Sequence, residues 1–178
     1  MILTVEEVRT QVECRQMYDD EIKSKLGAIE EIIRKYTNNN FQNKYIRFCS
    51  ASVNGNQLEN KTGYLKVNDT IQITQSKVND GIYSIIAIDD DFITVDGELF
   101  DVPVNRVTKV EYPEAVKQCA VTLFKWELEF GSKIGIKSES ETLSRHSETV
   151  TYEDSATLFM GYPTGILNGL SLYKKARC

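Results

Sequence analysis

A chain of 178 residues with 41% apolar content can hold one ordinary domain, or a small domain with an insertion, around a real core. Its net charge of -5 opposes tight duplex binding, since Lys and Arg that neutralise phosphate supply most non-specific affinity, but not DNA sliding past a repelling wall. No run of about eighteen apolar residues occurs, and MILTVEEVRT lacks the basic head and apolar body of a signal peptide, so a membrane span or a secretory route is not expected.

In chain order, Thr4 with Glu7 makes a capping box for a short helix carrying Val5, Val8 and Val12. Asp19 and Asp20 supply an N-cap and negative charge for a longer helix, in which Ile22, Leu26, Ile29, Ile33 and Tyr36 keep 4-3-4-3 spacing. Ile29 and Ile33 are expected core residues. Glu21 with Lys25, Glu30 with Arg34 and Glu31 with Lys35 are i,i+4 pairs for its outer face, and Asn38, Asn39 and Asn40 end it.

From Tyr45 to Tyr112 the period changes from 3.6 to 2. Strands are expected at Tyr45–Val53, Tyr64–Val67, Thr70–Gln75, Gly81–Ile88, Phe92–Val95, Glu98–Val102 and Arg106–Glu111, with Pro103 marking an edge. Turn signals separate them at Asn54-Gly55, Asn68-Asp69, Asn79-Asp80-Gly81, Asp89 to Asp91 and Asp96-Gly97, the last a two-residue hairpin signal. Short strands at this spacing suggest a small antiparallel barrel or sandwich, inserted as residues 45–111 between helical parts at 1–44 and 112–178. The fold class expected is α+β.

Pro113 to Phe130 reads as a helix apolar over more than half its circumference, with Val116, Cys119, Leu123, Trp126 and Phe130 in one stripe and Ala120, Phe124 and Leu128 beside it. Leu123 and Trp126 are the expected core of this helix, and Gly131 is placed to cap it in the left-handed conformation. A polar stretch with alternating Ser, Thr and Glu follows, suiting a β arm or a surface loop. Tyr162 to Cys178 then offers Pro163 at a helix start, Ile166, Leu167, Leu170 and Tyr173 on one face, and Lys174, Lys175 and Arg177 at the end, although Gly165 and Gly169 weaken it.

No nucleophile elbow, phosphate loop or dinucleotide fingerprint occurs, and His146 has no catalytic spacing around it, so no catalytic residue, cofactor or metal is expected. Asp89, Asp90 and Asp91 lack the alternating oxygens and Gly of a calcium loop and read as a turn. Cys14, Cys49, Cys119 and Cys178 are widely spaced and read as free thiols.

The order of these elements resembles the phage head-to-tail connector, or adaptor, family. TVEEVRTQV and DDEIKSKLGAIEEIIRKYTNNNF look like its first two helices, and PEAVKQCAVTLFKWELEF looks like its central helix. KIGIKSESETLSRHSETVTY resembles its arm, with Glu141, Ser147 and Tyr152 matching, while Ser144 stands where Gly is common and His146 where an aromatic is common. GYPTGILNGLSLYKKARC resembles its portal-binding tail, which would assign that role to Tyr162, Pro163, Ile166, Leu167, Leu170, Tyr173, Lys174, Lys175 and Arg177. The β region departs from the minimal family pattern, which joins the two helices by a short loop.

The resemblance implies a small connector-like helical bundle with an inserted β domain, and a virion structural protein that assembles in the host cytoplasm. About a dozen copies would close into a ring on the portal protein, extend the DNA channel without sequence-specific binding, and give a platform to the next neck or tail-completion protein. The competing reading is a regulatory β module that captures a peptide or a nucleic acid strand. Against nucleic acid, the β region lacks a cluster of Lys and Arg interleaved with aromatics.

Overall fold

The computed structural model describes residues 1–131, 138–143, 146–151 and 158–176, the second and third of these stretches through their backbone. The chain mixes helix and strand and divides into two compact units, Met1–Glu7 with Asn39–Pro113, and Val8–Asn38 with Glu114–Cys178.

The first unit is a closed antiparallel barrel of β1 (Gln42–Val53), β2 (Gln57–Glu59), β3 (Thr70–Thr74), β4 (Gly81–Ile88), β5 (Phe92–Val95) and β6 (Val102–Val110), in the order β1-β2-β5-β4-β3-β6. Closure follows from β6, which pairs with β3 on one side and β1 on the other. Alternation along the strands turns Leu58, Ile71, Ile73, Ile85, Ile93, Val95 and Val107 into one buried cluster, completed by Leu65 and Leu99 from loops. Met1–Leu3 belongs to this unit: Ile2 and Leu3 are buried, and the Met1 amine donates to Thr70 Oγ1 and, at 3.2 Å, to Ser84 Oγ.

Several local expectations change. Tyr64–Val67 and Glu98–Asp101 are not strands, because Leu65 and Leu99 plug the barrel from loops instead of joining a ladder. The short β2, with one inward Leu58, was too brief to show a period. Asp96-Gly97 makes no hairpin, since β5 pairs with β2 and β4; Asp96 Oδ1 instead accepts the Ser84 amide at 2.8 Å. Pro103 marks no edge, which a closed barrel lacks. It lies where the β1–β6 register shifts between Ser50 and Ser52, an irregularity that tolerates the missing amide. Asp89 to Asp91 form the β4–β5 turn, Asp89 Oδ1 accepting the amides of Asp91 and Phe92.

The helices carry their own end signals. In α1 (Val5–Gln11) the capping box closes reciprocally, the Thr4 amide donating to Glu7 Oε2 at 2.7 Å and the Glu7 amide to Thr4 Oγ1 at 3.1 Å. Helix α2 (Asp19–Thr37) begins after Tyr18, an N-cap without a side-chain bond, so Asp19 and Asp20 sit inside the first turn and Asp19 meets Arg9 at 2.7 Å. Asn38, at φ 48°, ends it in the left-handed conformation. Ile29 and Ile33 are fully buried.

Helix α3 (Glu114–Phe130) buries a narrower face than its sequence suggests: Val116, Ala120, Val121, Leu123 and Phe124 are buried, whereas Trp126 and Phe130 are half-buried and Leu128 is exposed. The expectation of a buried Trp126 is therefore corrected. Its ring packs at 5.4 Å on Tyr162 and 6.0 Å on Phe130. Gly131 has no positive φ, so it is not a left-handed cap; its Cα–H side is covered by the Glu127 side chain.

After α3 come β7 (Ser138–Leu143) and β8 (His146–Thr151), a two-stranded antiparallel sheet. The tail consists of β9 (Leu158–Phe159), β10 (Tyr162–Pro163), α4 (Thr164–Leu167) and a 3-10 turn over Asn168–Tyr173. Met160 (φ 51°) and Gly161 (φ 88°) join β9 to β10, two consecutive positive-φ residues as a tight two-residue hairpin demands.

Candidate docking surfaces

The tail folds into the second unit. A 3-10 turn repeats every three residues, and the accessibilities follow that period: Leu167 and Leu170 are fully buried and Tyr173 half-buried, while Gly169, Leu172 and Lys175 form an exposed row, Leu172 being 92% exposed. Tyr162 and Pro163 are buried as well, and Ile166 is half-buried with its carbonyl 3.7 Å from the Cys119 thiol. The apolar stripe that the resemblance assigns to the portal is thus engaged within the chain, where α2 and α3 cover it.

Polar contacts lock the tail in place. The Tyr36 hydroxyl bonds Asn168 Oδ1 at 2.8 Å, and Lys174 Nζ lies 3.8 Å from the centre of the Tyr36 ring. The Lys175 amide donates to the Thr37 carbonyl at 2.8 Å, and Asn38 Nδ2 donates to the carbonyls of Lys175 and Ala176. Glu127 joins three elements, accepting from Lys25 Nζ of α2 at 3.1 Å and from the Tyr162 hydroxyl. Burial, then that hydrogen bond and the carboxylate charge, push the Tyr162 hydroxyl well above the usual phenol range. Lys25 therefore turns to Glu127 of α3 and not to Glu21.

Sequence reading missed Glu127, Tyr36 and Asn38 as tail partners. Glu127 beside Trp126, at the border of the apolar stripe, was the available signal. Tyr152 of the expected arm and Arg177 of the expected tail lie outside the described residues. Glu141 and Ser147 fall on the paired strands, and the register sorts the arm into two faces. Ser138, Ser140, Thr142, Ser147, Thr149 and Thr151 share one, all hydroxyl residues, while Glu139, Glu141, Leu143, His146, Glu148 and Val150 share the other.

A second surface lies on the outer face of β1 and β6. Pairing sets Arg47 opposite Thr108 and Cys49 opposite Arg106, so the two arginines take diagonal positions on one face. Arg47 is exposed and bonds only neutral groups, Thr108 Oγ1 at 2.9 Å and Gln42 Oε1 at 3.2 Å. A register shift between Asn43 and Arg47 leaves Lys44 and the fully exposed Tyr45 without a ladder partner on β6. Neither Lys44 nor Arg106 meets a carboxylate among the described residues.

Among the described residues no group of His, Cys, Asp and Glu could hold a metal ion, and no helix is long and apolar enough to cross a membrane. No protein-family model matches the chain, and no curated protein sequence matches it.

Proposed function

We propose that this chain is a structural neck protein of a tailed phage or phage-like particle, a ring-forming adaptor that docks on the portal, extends the DNA channel and offers a platform to the next neck or tail protein. Its work is mechanical and calls for no catalytic group. The reading rests on the resemblance in the order of helices, arm and tail, with α2, α3 and the tail as the connector-like helical bundle.

The observation that carries it furthest is the arm. Strands β7 and β8 form a sheet of two, and Glu141 is paired directly with Glu148. A lone two-stranded hairpin is marginal in water, and a neighbouring surface would stabilise it. A repeated head-to-tail contact supplies one in every copy and closes into a ring. The portal-facing surface of the tail would be the exposed row Gly169, Leu172 and Lys175 with Lys174, because Leu167 and Leu170 are engaged within the unit.

The test is negative-stain imaging and sedimentation of the purified chain, alone and with portal rings. A symmetric ring seated on the portal is expected; a chain that stays monomeric and ignores the portal at micromolar concentration would sink the reading. The competing β module that takes a peptide or nucleic acid draws on Lys44, Tyr45, Arg47 and Arg106. Its barrel unit, however, carries seven Lys and Arg against twelve Asp and Glu, a poor platform for a long polyanion.

A further inference from the structure

We infer that the exposed row of the tail, Leu172 with Lys174 and Lys175, seats on the loop end of the barrel of a second copy of this chain, around Val78 and Phe100. Every pair of neighbouring strands in the barrel is antiparallel, so loops 54–56, 75–80 and 96–101 gather at one end. The chain enters and leaves at the other end, where the Glu111 amide donates to the Phe41 carbonyl at 2.9 Å. At the loop end Val78 is 54% and Phe100 69% exposed. Phe100 is also held rigidly: its carbonyl accepts from Ser52 Oγ at 2.6 Å and Asn79 Nδ2 at 2.8 Å, and its amide donates to Asn79 Oδ1 at 2.8 Å. Leu172 is fixed in the same way, between the buried Leu170 and the Lys175 amide bonded to Thr37. Both apolar groups project from ordered backbone, which lowers the entropy lost when one covers the other.

The charges match. The loops carry Asp80, Asp96, Glu98 and Asp101 against Lys77 alone, and none of these carboxylates meets a cation among the described residues. Three of them are anchored by backbone amides, Asp80 by Ser76, Asp96 by Ser84 and Asp101 by Gly55. Asp80 and Asp96, from different loops, converge on Tyr83, whose hydroxyl is held above the usual phenol range by burial and then by their charges. The tail has no Asp or Glu after Asp154, and Lys174 and Lys175 are exposed. Lys35, close to the tail's seat on α2, is already paired with Glu31 at 2.6 Å. An apolar contact flanked by opposite charges gives both affinity and register.

Connectivity rules out closure within one chain, whatever the orientation of its units. The Lys175 amide is held at Thr37 and its carbonyl at Asn38, immediately before the barrel unit begins at Asn39. The loop end lies at the far end of β1, and the ladder from Gln42 to Ser52 spans roughly 30 Å. Leu172 is only about 6 Å of 3-10 helix from Lys175. Tail row and loop end are different surfaces, so the contact between copies is head-to-tail. On a portal the same row would be engaged, so portal rings should compete with this contact.

The experiment uses the full chain and the variants Phe100→Asp, Leu172→Asp, Glu98→Lys and Lys175→Glu, read by sedimentation velocity and thermal melting. Phe100→Asp and Leu172→Asp should each weaken self-association at least about tenfold while melting like the wild type. Mixed together they should form dimers and nothing larger, because one keeps its tail row and the other its loop end. Glu98→Lys and Lys175→Glu should each weaken self-association, their combination in one chain should recover most of the loss, and rising salt should weaken the wild type. A wild type that stays monomeric without portal rings, or variants that all assemble like it, would overturn the contact, while the neck reading keeps its own imaging test. A mixture of the two apolar variants that stays monomeric would overturn it as well. If Phe100→Asp melts lower yet assembles normally, the chain itself covers Phe100 and the inference fails.

Discussion

Lys25 Nζ of α2 lies 3.1 Å from Glu127 Oε1 of α3, and the same carboxylate accepts the Tyr162 hydroxyl of the tail. One side chain thus ties together two helices and a segment that arrives much later in the chain. Glu127→Ala should destabilise the second unit by about 1–3 kcal/mol, since it strands a half-buried ammonium and a buried phenol, and the midpoint of urea unfolding measures it. Gly131 adds a sharper test. A Cβ there would stand 2.8 Å from the Glu127 carboxyl, so Gly131→Ala should destabilise the wild type by displacing a tethered side chain. In a Glu127→Ala background the same change should stabilise, because Ala outranks Gly in helical backbone. Equal effects in the two backgrounds would rule out the coupling.

The two leucines of the 3-10 turn should separate cleanly. Leu170→Ala, at a site 1% exposed, should cost about 2–5 kcal/mol, whereas Leu172→Ala should change stability by less than about 0.5 kcal/mol. Under the proposed function Leu172→Ala should nevertheless weaken attachment to the portal. Removing residues 162–178 should lower the melting temperature markedly, contrary to what the composition of the tail suggests. An unchanged melting temperature would show that its packing on α2 and α3 is idle.

Asn79 pins one end of the barrel. Its Nδ2 reaches the Phe100 carbonyl at 2.8 Å, Asn105 Oδ1 at 3.1 Å and Ser52 Oγ at 3.2 Å, while its Oδ1 accepts the Phe100 amide at 2.8 Å. Asn79→Ala should cost about 2–4 kcal/mol by leaving buried partners unmet. Asn79→Asp should be no milder despite its equal size, because a carboxylate oxygen would then face two carbonyl acceptors. Guanidinium unfolding followed by tyrosine fluorescence reports both.

Thiol chemistry should follow burial. Cys49 is exposed on the barrel, Cys14 is buried, and burial pushes the Cys119 thiol from 9.0 up to about 11. At pH 8 an aromatic disulfide reagent should label Cys49 rapidly and Cys119 only slowly, as peptide mapping would register. The sign of the linked stability also follows. Since the folded state holds its Cys119 proton more tightly than the unfolded chain, that contribution is present below pH 9 and is lost between pH 9 and about 11. A Cys119→Ser variant should lack this alkaline component.

Periodicity and end signals alone determined much of the local structure. The capping box at Thr4 and Glu7, the stop at Asn38, strands Gly81–Ile88 and Phe92–Val95 and the buried Ile29, Ile33 and Leu123 all depend on residues within a few positions of each other, so they are written locally. What only tertiary structure decided is every relation between distant segments. Closure of the barrel through β6 removed the edge expected at Pro103 and turned Leu65 and Leu99 from strand residues into plugs. Packing of the tail left Trp126 half-open, buried Leu167 and Leu170, and drew Lys25 away from its helical neighbour to Glu127. Pairing of β1 with β6 set Arg47 and Arg106 side by side. A period says which face of an element is apolar, whereas the partner that covers this face is chosen by the free energy of burying the whole chain.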